Sequence, residues 1–513
     1  MPILDWMTRG EDVVAAARVP YRMLEAVPGL DGGDGDPANM LIQGDNLDAL
    51  KALLPYYSGR VKCIFIDPPY NTRSAFEHYD DNLEHAQWLA MIYPRLVLLR
   101  ELLAEDGSIW LTIGDDEGHY LKVVCDEVFG RRNFVANFVW EKDKGRRNDA
   151  IVSSAHDHTL LYAKKVEAWS AVRNLLERTD DQNARYKNPD NDPRGPWLQG
   201  DNGTAKSGSD KLRFEITTPS GRVVVPPKGN YWRFSRETFQ AALDDDRVYF
   251  GKDGDRMPVI KRYLTDVQQG IVPRTWWPAE DAGTNQSAKR DHLRKLLPEI
   301  EPFATPKPEQ LLRLVLQIAT NPGDLVLDSF LGSGTTAAVA HKMDRRWIGI
   351  EMGDHVETHC KPRLDKVIAG EQGGVSAAVE WQGGGGYRYY RLGPPAFDAS
   401  GRIDPDIGFD ALAAHVWSAE TGQPAARTGE ARSPVLGVHQ HTAYALLYNG
   451  VLGDRHPAGG NVLTAPVMAH LREALPGHIG PWTIYGEACR MSAAKLAAAG
   501  VTFKQTPYDV KAR

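Results

Sequence analysis

The sequence predicts an α/β protein built on a doubly wound, mostly parallel sheet, with an irregular β-rich insert and a small C-terminal α/β unit. Short apolar runs that end in an acid, at Asp67 and at Asp328, alternate with runs of helical periodicity. This alternation is typical of parallel strands joined by helices. A chain of 513 residues also exceeds one ordinary core, so two or three structural units are expected.

Composition is that of a globular protein with unevenly placed charge. Hydrophobic residues make up 42% and charged residues 25% of the chain, and we expect neither a signal peptide nor a membrane span. Four distant cysteines argue against a disulfide framework and favour a cytoplasmic location. The net charge is −7, but residues 131–300 hold 30 Lys and Arg against 24 Asp and Glu, a net of +6 that leaves −13 elsewhere. This basic middle favours a phosphate-contacting surface, although ordinary variation in surface charge would also explain it.

The N-terminal part is predicted to be an arm and linker over residues 1–36. A helix is expected from Glu11 to Ala26, followed by an acidic glycine stretch that favours a linker. A strand near Met40 then leads to a helix from Asn46 that should end at Pro55.

The most informative stretch is Asp67-Pro68-Pro69-Tyr70, which ends the apolar run 63–66. Two prolines fix the backbone and make a stiff corner. The corner presents a carboxylate, the Pro68 carbonyl and an aromatic face, which together suit a planar base with an exocyclic amine. A strand followed by a plain turn, with Tyr70 as packing, is the alternative.

A second motif runs from Leu325 to Glu351. A buried strand, the glycine turn 330–334, a helical run and a second strand ending in Glu351 form a nucleotide-binding layout. The turn lacks the third glycine of a dinucleotide fingerprint and the Lys-Ser/Thr pair of a P-loop.

Together the two motifs resemble the amino-methyltransferases of DNA, in the permuted β arrangement that places the catalytic corner before the cofactor turn. Three segments further resemble modification subunits of Type III restriction systems: Asp67 to Thr72, Gly283-Thr284-Asn285 and Thr305-Pro306-Lys307-Pro308. The resemblance covers residues 40–165 and 280–365. It implies a class I methyltransferase fold with a catalytic half (37–165) and a cofactor half (281–369), separated by a target-recognition insert (166–280). Glycine content predicts a linker at 370–387, and alternating strands and helices predict a small C-terminal α/β domain at 388–513.

The resemblance also implies site residues, with S-adenosylmethionine as cofactor. The corner residues Asp67, Pro68, Pro69 and Tyr70 would be catalytic. Cofactor contacts are expected from Asp45, Thr305, Lys307, Asp328, Phe330, Gly332, Gly334, Thr335 and Glu351. For Asp45, a helix cap is an equally good interpretation. DNA contacts are expected from His156, from Arg233 and from the basic run Lys142, Lys144, Arg146 and Arg147, for which a solvated charge run is the commoner explanation.

No metal site is predicted. The acidic cluster 115–117 has no companion ligands at useful spacing, and a charged helix N-terminus explains it better. His156 and His158 would share one face of a strand, but no third ligand lies nearby in the sequence.

The predicted function is therefore site-specific methylation of adenine N6 in DNA, within a restriction-modification or phage-defence system. Cytosine N4 is the nearest alternative, and Asp67 at the first corner position favours adenine. A recognition subunit that mainly places a nuclease partner is the alternative of another class. The expected substrate is double-stranded DNA with a flipped target base, and the resemblance allows a homodimer and a helicase–nuclease restriction subunit as partners.

Overall fold

A computed structural model describes most of the chain. The described residues are 3–34, 38–72, 83–146, 151–178, 180–198, 203–266, 270–397, 407–423, 425, 433–448 and 461–506. Within these ranges, no helix is both long enough and apolar enough to cross a bilayer.

One large sheet organises the first compact unit, which comprises residues 1–174 and 274–513. Among the described residues the sheet has eleven strands. They are β1 (Arg22–Ala26), β2 (Gly32–Gly33), β3 (Met40–Gln43), β4 (Val61–Ile66), β5 (Leu103–Ile113), β6 (Phe134–Glu141), β7 (His156–Ala163), β8 (Trp276–Trp277), β9 (Leu325–Asp328), β10 (Arg346–Glu351) and β11 (Gly386–Pro395). The spatial order is β1-β11-β3-β10-β9-β4-β5-β7-β6-β8, and β2 pairs with β11.

The centre of this sheet is parallel, which explains where the acidic residues meet. Strands β3, β10, β9, β4 and β5 are neighbours and run in one direction. Their carboxyl ends therefore lie at one edge, where ligands bind in open α/β sheets. Strand β7 is antiparallel to β5, with Ile113 opposite His158. Its amino end consequently lies at the same edge, and the predicted fold class is confirmed.

Helices of this unit connect and cover the strands. They span Arg9–Arg18, Asn46–Tyr57, His85–Leu102, Asp115–Cys125, Val166–Val172, Ala279–Ala282, Arg294–Leu296, Glu309–Ala319, Thr335–Lys342, Lys361–Ile368, Phe409–Thr421, Ala465–Ala474 and Ala493–Ala499. Shorter 3₁₀ or π turns span Pro28–Leu30, Asp126–Gly130, Arg131–Asn133, Ser287–Leu293, Val356–Cys360 and Ser376–Val379. The helix predicted to end at Pro55 continues to Tyr57, and Ser58 N–H still closes its last turn on Leu54 O at 3.2 Å.

Both predicted linkers differ from the structure. The expected helix 11–26 ends at Arg18, and residues 22–26 instead form β1, antiparallel to β11. Strand β11 itself begins inside the predicted linker 370–387 and also pairs with β2 in the acidic glycine stretch. Buried Tyr387 and Tyr389 anchor β11 in the sheet. Their glycine content favoured a linker in the sequence. The strand pairing could not be predicted locally, because the partner segments are hundreds of residues apart in the chain.

The second compact unit comprises residues 175–273, within the predicted insert 166–280. Its strands pair in twos: Trp197–Leu198 with Arg262–Tyr263, Thr204–Ala205 with Tyr231–Trp232, Ile216–Thr217 with Val223–Val224, and Val248–Tyr249 with Val259–Ile260. The third pair confirms the predicted hairpin. Helices span Asp180–Asn183 and Arg236–Asp244, with a 3₁₀ turn at Asp210–Leu212. Seven buried side chains form a core: Phe214, Ile216, Val224, Trp232, Phe234, Phe239 and Phe250.

The C-terminal segment builds a four-stranded sheet among its described residues. The order is Val435–His439, Thr442–Leu446, Trp482–Gly486 and Val501–Gln505, and the last three strands are parallel. A further short pair joins Val462–Leu463 to Ala488–Cys489. The three predicted strands of this segment are confirmed.

Candidate active site

A cavity of about 520 Å³ opens at the carboxyl edge of the central strands. Its size suits a cofactor or small ligand. The Asp-Pro-Pro-Tyr corner and the glycine turn both line it. Of the predicted site residues, the lining includes Asp67, Pro68, Pro69, Tyr70, Lys142, Thr305, Lys307, Asp328, Phe330, Gly332 and Thr335.

The two oxygens of the Asp67 carboxylate have different environments. Oδ2 accepts a hydrogen bond from the ammonium of Lys307, a buried side chain. Oδ1 is buried and has no hydrogen-bond partner in the part of the chain that the structure describes. Because buried polar atoms are nearly always satisfied, Oδ1 is an acceptor suited to a ligand donor. Lys307, which the resemblance assigned to the cofactor, thus orients the carboxylate that the sequence predicts to be catalytic, and its own cofactor contact stays a prediction.

Neighbouring side chains make the corner rigid. The Trp88 indole donates to the Pro69 carbonyl at 2.8 Å. The Tyr70 ring packs on the backbone of Gly114, where an added Cβ would lie 3.1 Å from the ring. Burial and the nearby carboxylates of Asp157 and Asp67 raise the pKa of Tyr70 well above its ordinary value. Its hydroxyl therefore stays protonated and donates to Asp157 Oδ2 at 3.3 Å.

Asp157 and Lys142 form an ion pair that the sequence did not predict. Asp157 is 1% exposed, and its Oδ1 accepts from Lys142 Nζ at 2.6 Å. Burial raises the pKa of Asp157, although the charges of Lys142 and Lys307 oppose this. The pair forms because β6 and β7 both place a polar residue at the edge of the sheet that carries Asp67. Lys142, expected to contact the DNA backbone, therefore lies in the cavity.

The glycine turn is held from within by two acids. Asp328 accepts from Phe330 N–H at 2.9 Å and from the Thr336 hydroxyl at 2.5 Å. Burial raises the pKa of Asp328 to about 7, against those two hydrogen bonds. Glu351 accepts from Gly332 N–H at 2.7 Å. It is 4% exposed and does not line the cavity, so its expected contact with the cofactor stays a prediction.

Asp45 caps the helix that follows it, as the alternative interpretation stated. Its carboxylate accepts from Leu47 N–H at 2.8 Å and pairs with Arg95 at 3.0 Å. Asp45 does not line the cavity, and neither does Gly334, which begins the helix 335–342. A cofactor contact by either residue stays a prediction.

The residues predicted to contact DNA have different surroundings. Lys144 pairs with Glu280, and Arg146 is exposed. The Nε2 atom of His156 lies 4.0 Å from Asp115 Oδ1. Arg233, in the second unit, donates through Nε to the Thr204 carbonyl at 3.0 Å. Arg147 lies outside the described residues, and all of these DNA contacts stay predictions.

Several cavity residues were not predicted as site residues. Asn285 lines the cavity and, like Asp67, has a buried side-chain oxygen without a partner in the described ranges. The Gly-Thr-Asn motif was the signal that could have identified it. Buried Phe303 and exposed Asp115 also line the cavity. The expectation that no third ligand lies near His156 and His158 is wrong, because the fold places Asp115 beside them.

Known proteins share much of this sequence. Residues 61–361 match the protein-family model described as DNA methylase. The chain is 32% identical to the probable type III restriction-modification enzyme HindVI Mod subunit of Haemophilus influenzae, over 70% of this chain and 55% of that one. It is also 32% identical to the StyLTI Mod subunit of Salmonella typhimurium, over 58% and 49%. The chain thus spans about half the length of these relatives. A putative DNA modification methylase of Thermus thermophilus, complexed with S-adenosyl-L-methionine, has a TM-score of 0.33 at 14% identity, over 65% of this chain and 97% of that one.

Proposed function

The chain belongs to the DNA methylase family, and from this premise we propose that it transfers a methyl group from S-adenosylmethionine to the N6 amine of adenine in DNA. One observation carries the proposal. One cavity joins the glycine turn that follows a parallel strand to the rigid Asp-Pro-Pro-Tyr corner, where a carboxylate oxygen has no hydrogen-bond partner among the described residues.

The cavity residues fit the cofactor. Within the turn 330–334, Gly332 has a φ of 57° and presents backbone without a side chain to the cavity. Aromatic Phe303 and Phe330 offer apolar surface, while Thr305 and Ser333 offer hydroxyls. When bound, S-adenosylmethionine supplies a methyl group carried on a positively charged sulfur.

The corner residues position the substrate amine. Adenine N6 is a poor nucleophile because its lone pair is delocalised into the ring. Asp67 Oδ1 and the Pro68 carbonyl accept the two amine hydrogens, which favours a pyramidal nitrogen with its lone pair directed outward. Lys307 holds the other oxygen of Asp67 and so fixes the direction of Oδ1. Catalysis then rests on orientation and electrostatics rather than on a covalent intermediate.

Proton transfer and base capture complete the mechanism. Transfer of the methyl group from S-adenosylmethionine would leave the amine positively charged and acidic. Its proton leaves along the hydrogen bond to Asp67 Oδ1. Because the amine is inaccessible in a stacked duplex, the base must flip out, and Tyr70 provides the face on which it stacks.

The Type III relatives support a place in a restriction-modification system, with a helicase–nuclease subunit as partner. Adenine is proposed over cytosine because the corner begins with Asp67. The four cysteines are free thiols, which agrees with the proposed cytoplasmic location. We also propose that the chain forms a homodimer, and only the resemblance to the Type III modification subunits supports this.

Sequencing of modified bases in DNA from cells that express the chain tests this function. We expect N6-methyladenine at one defined sequence, and none in cells that express Asp67→Ala. The variant protein should still bind S-adenosylmethionine in calorimetry, because Asp67 contacts the base. N4-methylcytosine would overturn the adenine assignment, and unmodified DNA from the active-site-intact chain would overturn the function.

A further inference from the structure

Three potential metal ligands from two distant segments meet beside the cavity. Asp115 begins the helix 115–125, and His156 and His158 lie on β7. Their ligand atoms all lie within 4.8 Å of one another. His158 Nε2 is 3.0 Å and His156 Nε2 is 4.0 Å from Asp115 Oδ1. We name these three residues the His–His–Asp cluster.

The sheet register brings the cluster together. Alternate residues of a strand point to the same face, so His156 and His158 are neighbours on β7. Ile113, at the end of β5, pairs with His158. Asp115 follows two residues later and therefore lies beside both imidazoles. In the sequence, neither the acidic cluster 115–117 nor the pair His156 and His158 has a further ligand nearby. The fold brings the two segments together.

The donor set has a recognisable preference. Two imidazole nitrogens and one carboxylate oxygen suit zinc and neighbouring divalent transition metals. Metal–ligand bonds of about 2.0–2.2 Å place ligand atoms roughly 3–3.5 Å apart. The His158–Asp115 separation of 3.0 Å falls in this range, and the His156–Asp115 separation of 4.0 Å is longer. Asp115 is more than half exposed, at 56%, so an ion could enter from solvent.

Asn137 supports a ligand role for His158. The Asn137 amide lies 3.0 Å from His158 Nδ1, and its Oδ1 is buried without a partner among the described residues. A 180° rotation of this amide, which exchanges oxygen and nitrogen, would let Oδ1 accept from Nδ1–H. That tautomer leaves the Nε2 lone pair free for a metal. Metal-bound histidines are usually oriented by such an acceptor on the other ring nitrogen.

A second group of potential metal ligands differs from the His–His–Asp cluster, because side-chain cations of the protein already bind its carboxylates. His292, Glu309 and Glu371 also approach one another. There, however, the Lys342 ammonium binds Glu309 at 2.8 Å and also binds Glu371. Arg363 pairs with the other Glu309 oxygen at 2.9 Å. The protein's own cations fill that position, whereas the described surroundings of the His–His–Asp cluster supply only the histidines themselves.

We propose that Asp115, His156 and His158 bind one divalent transition-metal ion of the zinc class. Three protein ligands leave at least one coordination position for an oxygen ligand, either water or a substrate oxygen. Because Asp115 also lines the cavity that contains Asp67, the ion would lie next to the candidate active site.

The test uses the full chain, freed of any affinity tag, without DNA or S-adenosylmethionine. Zn²⁺ titration by calorimetry should show one site at the cluster, and Co²⁺ should give an absorption spectrum of nitrogen and oxygen ligands. We expect Asp115→Asn, His156→Asn and His158→Asn each to weaken Zn²⁺ binding at least about tenfold. Since the assay requires no methylation, its outcome is independent of the proposed function.

His119→Asn is the matched control. His119 is exposed on the same helix, with its ring 6.2 Å from that of His158, and it is not one of the three ligands. Its substitution should leave Zn²⁺ affinity unchanged, and circular dichroism checks that every variant is folded. No Zn²⁺ binding by the parent chain, or equal affinity in folded cluster variants, would overturn the proposal.

Discussion

At the residue scale, the two oxygens of the Asp67 carboxylate have different surroundings. Lys307 holds one oxygen, and the other has no partner among the described residues. Because one oxygen of the carboxylate is held by a hydrogen bond, the other oxygen points in a fixed direction. A solvated side chain would instead sample several rotamers. The corner therefore provides an acceptor at a defined point, next to the Tyr70 ring.

Tyr70 provides a prediction at the same scale. Tyr70→Ala removes the stacking face, and we expect a loss of about 1–3 kcal/mol of base capture, roughly 5- to 150-fold in kcat/KM for DNA. Affinity for S-adenosylmethionine should not change. Steady-state kinetics with DNA, together with calorimetry for the cofactor, measure the two effects separately.

Tyr70→Phe is the control for that substitution. It keeps the ring, which packs on Gly114, and loses only the hydrogen bond to Asp157. We expect most activity to remain. A loss equal to that of the Ala variant would contradict stacking and assign the role of Tyr70 to its hydroxyl.

At the scale of elements, the sequence predicted local features well and distant pairings poorly. Strands that end in Asp67 or Asp328, and the helix 309–319, carry their signals in consecutive residues. The pairing of Lys142 with Asp157 depends on the register of β6 against β7. Strand β11 was hidden because its glycines favour a linker and its partners β1 and β3 lie at the other end of the chain.

The glycine turn provides a prediction for an element. Gly332 has a φ of 57°, and a Cβ there would lie 3.6 Å from the Phe303 ring that lines the cavity. Gly332→Val should strain the backbone by about 1–2 kcal/mol and place methyl groups in the cofactor's path. We expect calorimetry to show greatly reduced S-adenosylmethionine affinity.

Gly323→Val separates strain from obstruction. Gly323 has a φ of 82° with open space around its Cβ position, and it does not line the cavity. The variant should lose similar stability in thermal unfolding yet retain cofactor affinity. If both variants bound the cofactor as the parent does, the turn would not be the cofactor site.

At the scale of the whole molecule, the chain divides into two compact units, and the candidate active site lies in the first. The cavity residues belong to the first unit, whereas residues 175–273 form a unit with its own aromatic core. In the sequence, this unit lies between the two segments that are predicted to form the methyltransferase halves, 37–165 and 281–369. Methyl transfer itself does not need such an insert, but selection of a DNA sequence does, through side chains that read base edges.

Exchange of residues 175–273 for the equivalent segment of a relative should change the methylated sequence and leave adenine N6 as the modified atom. The unit suits exchange because its ends are joined: Leu176 and Ile271 donate to each other's carbonyls at 3.0 and 2.8 Å. Single substitutions would be less informative, since Arg233 is held by the Thr204 carbonyl and its loss would disturb the unit. Modified-base sequencing of the chimera measures the outcome. A folded, active chimera with an unaltered target sequence would place recognition elsewhere in the chain, and the C-terminal segment with its four-stranded sheet would be the next region to exchange.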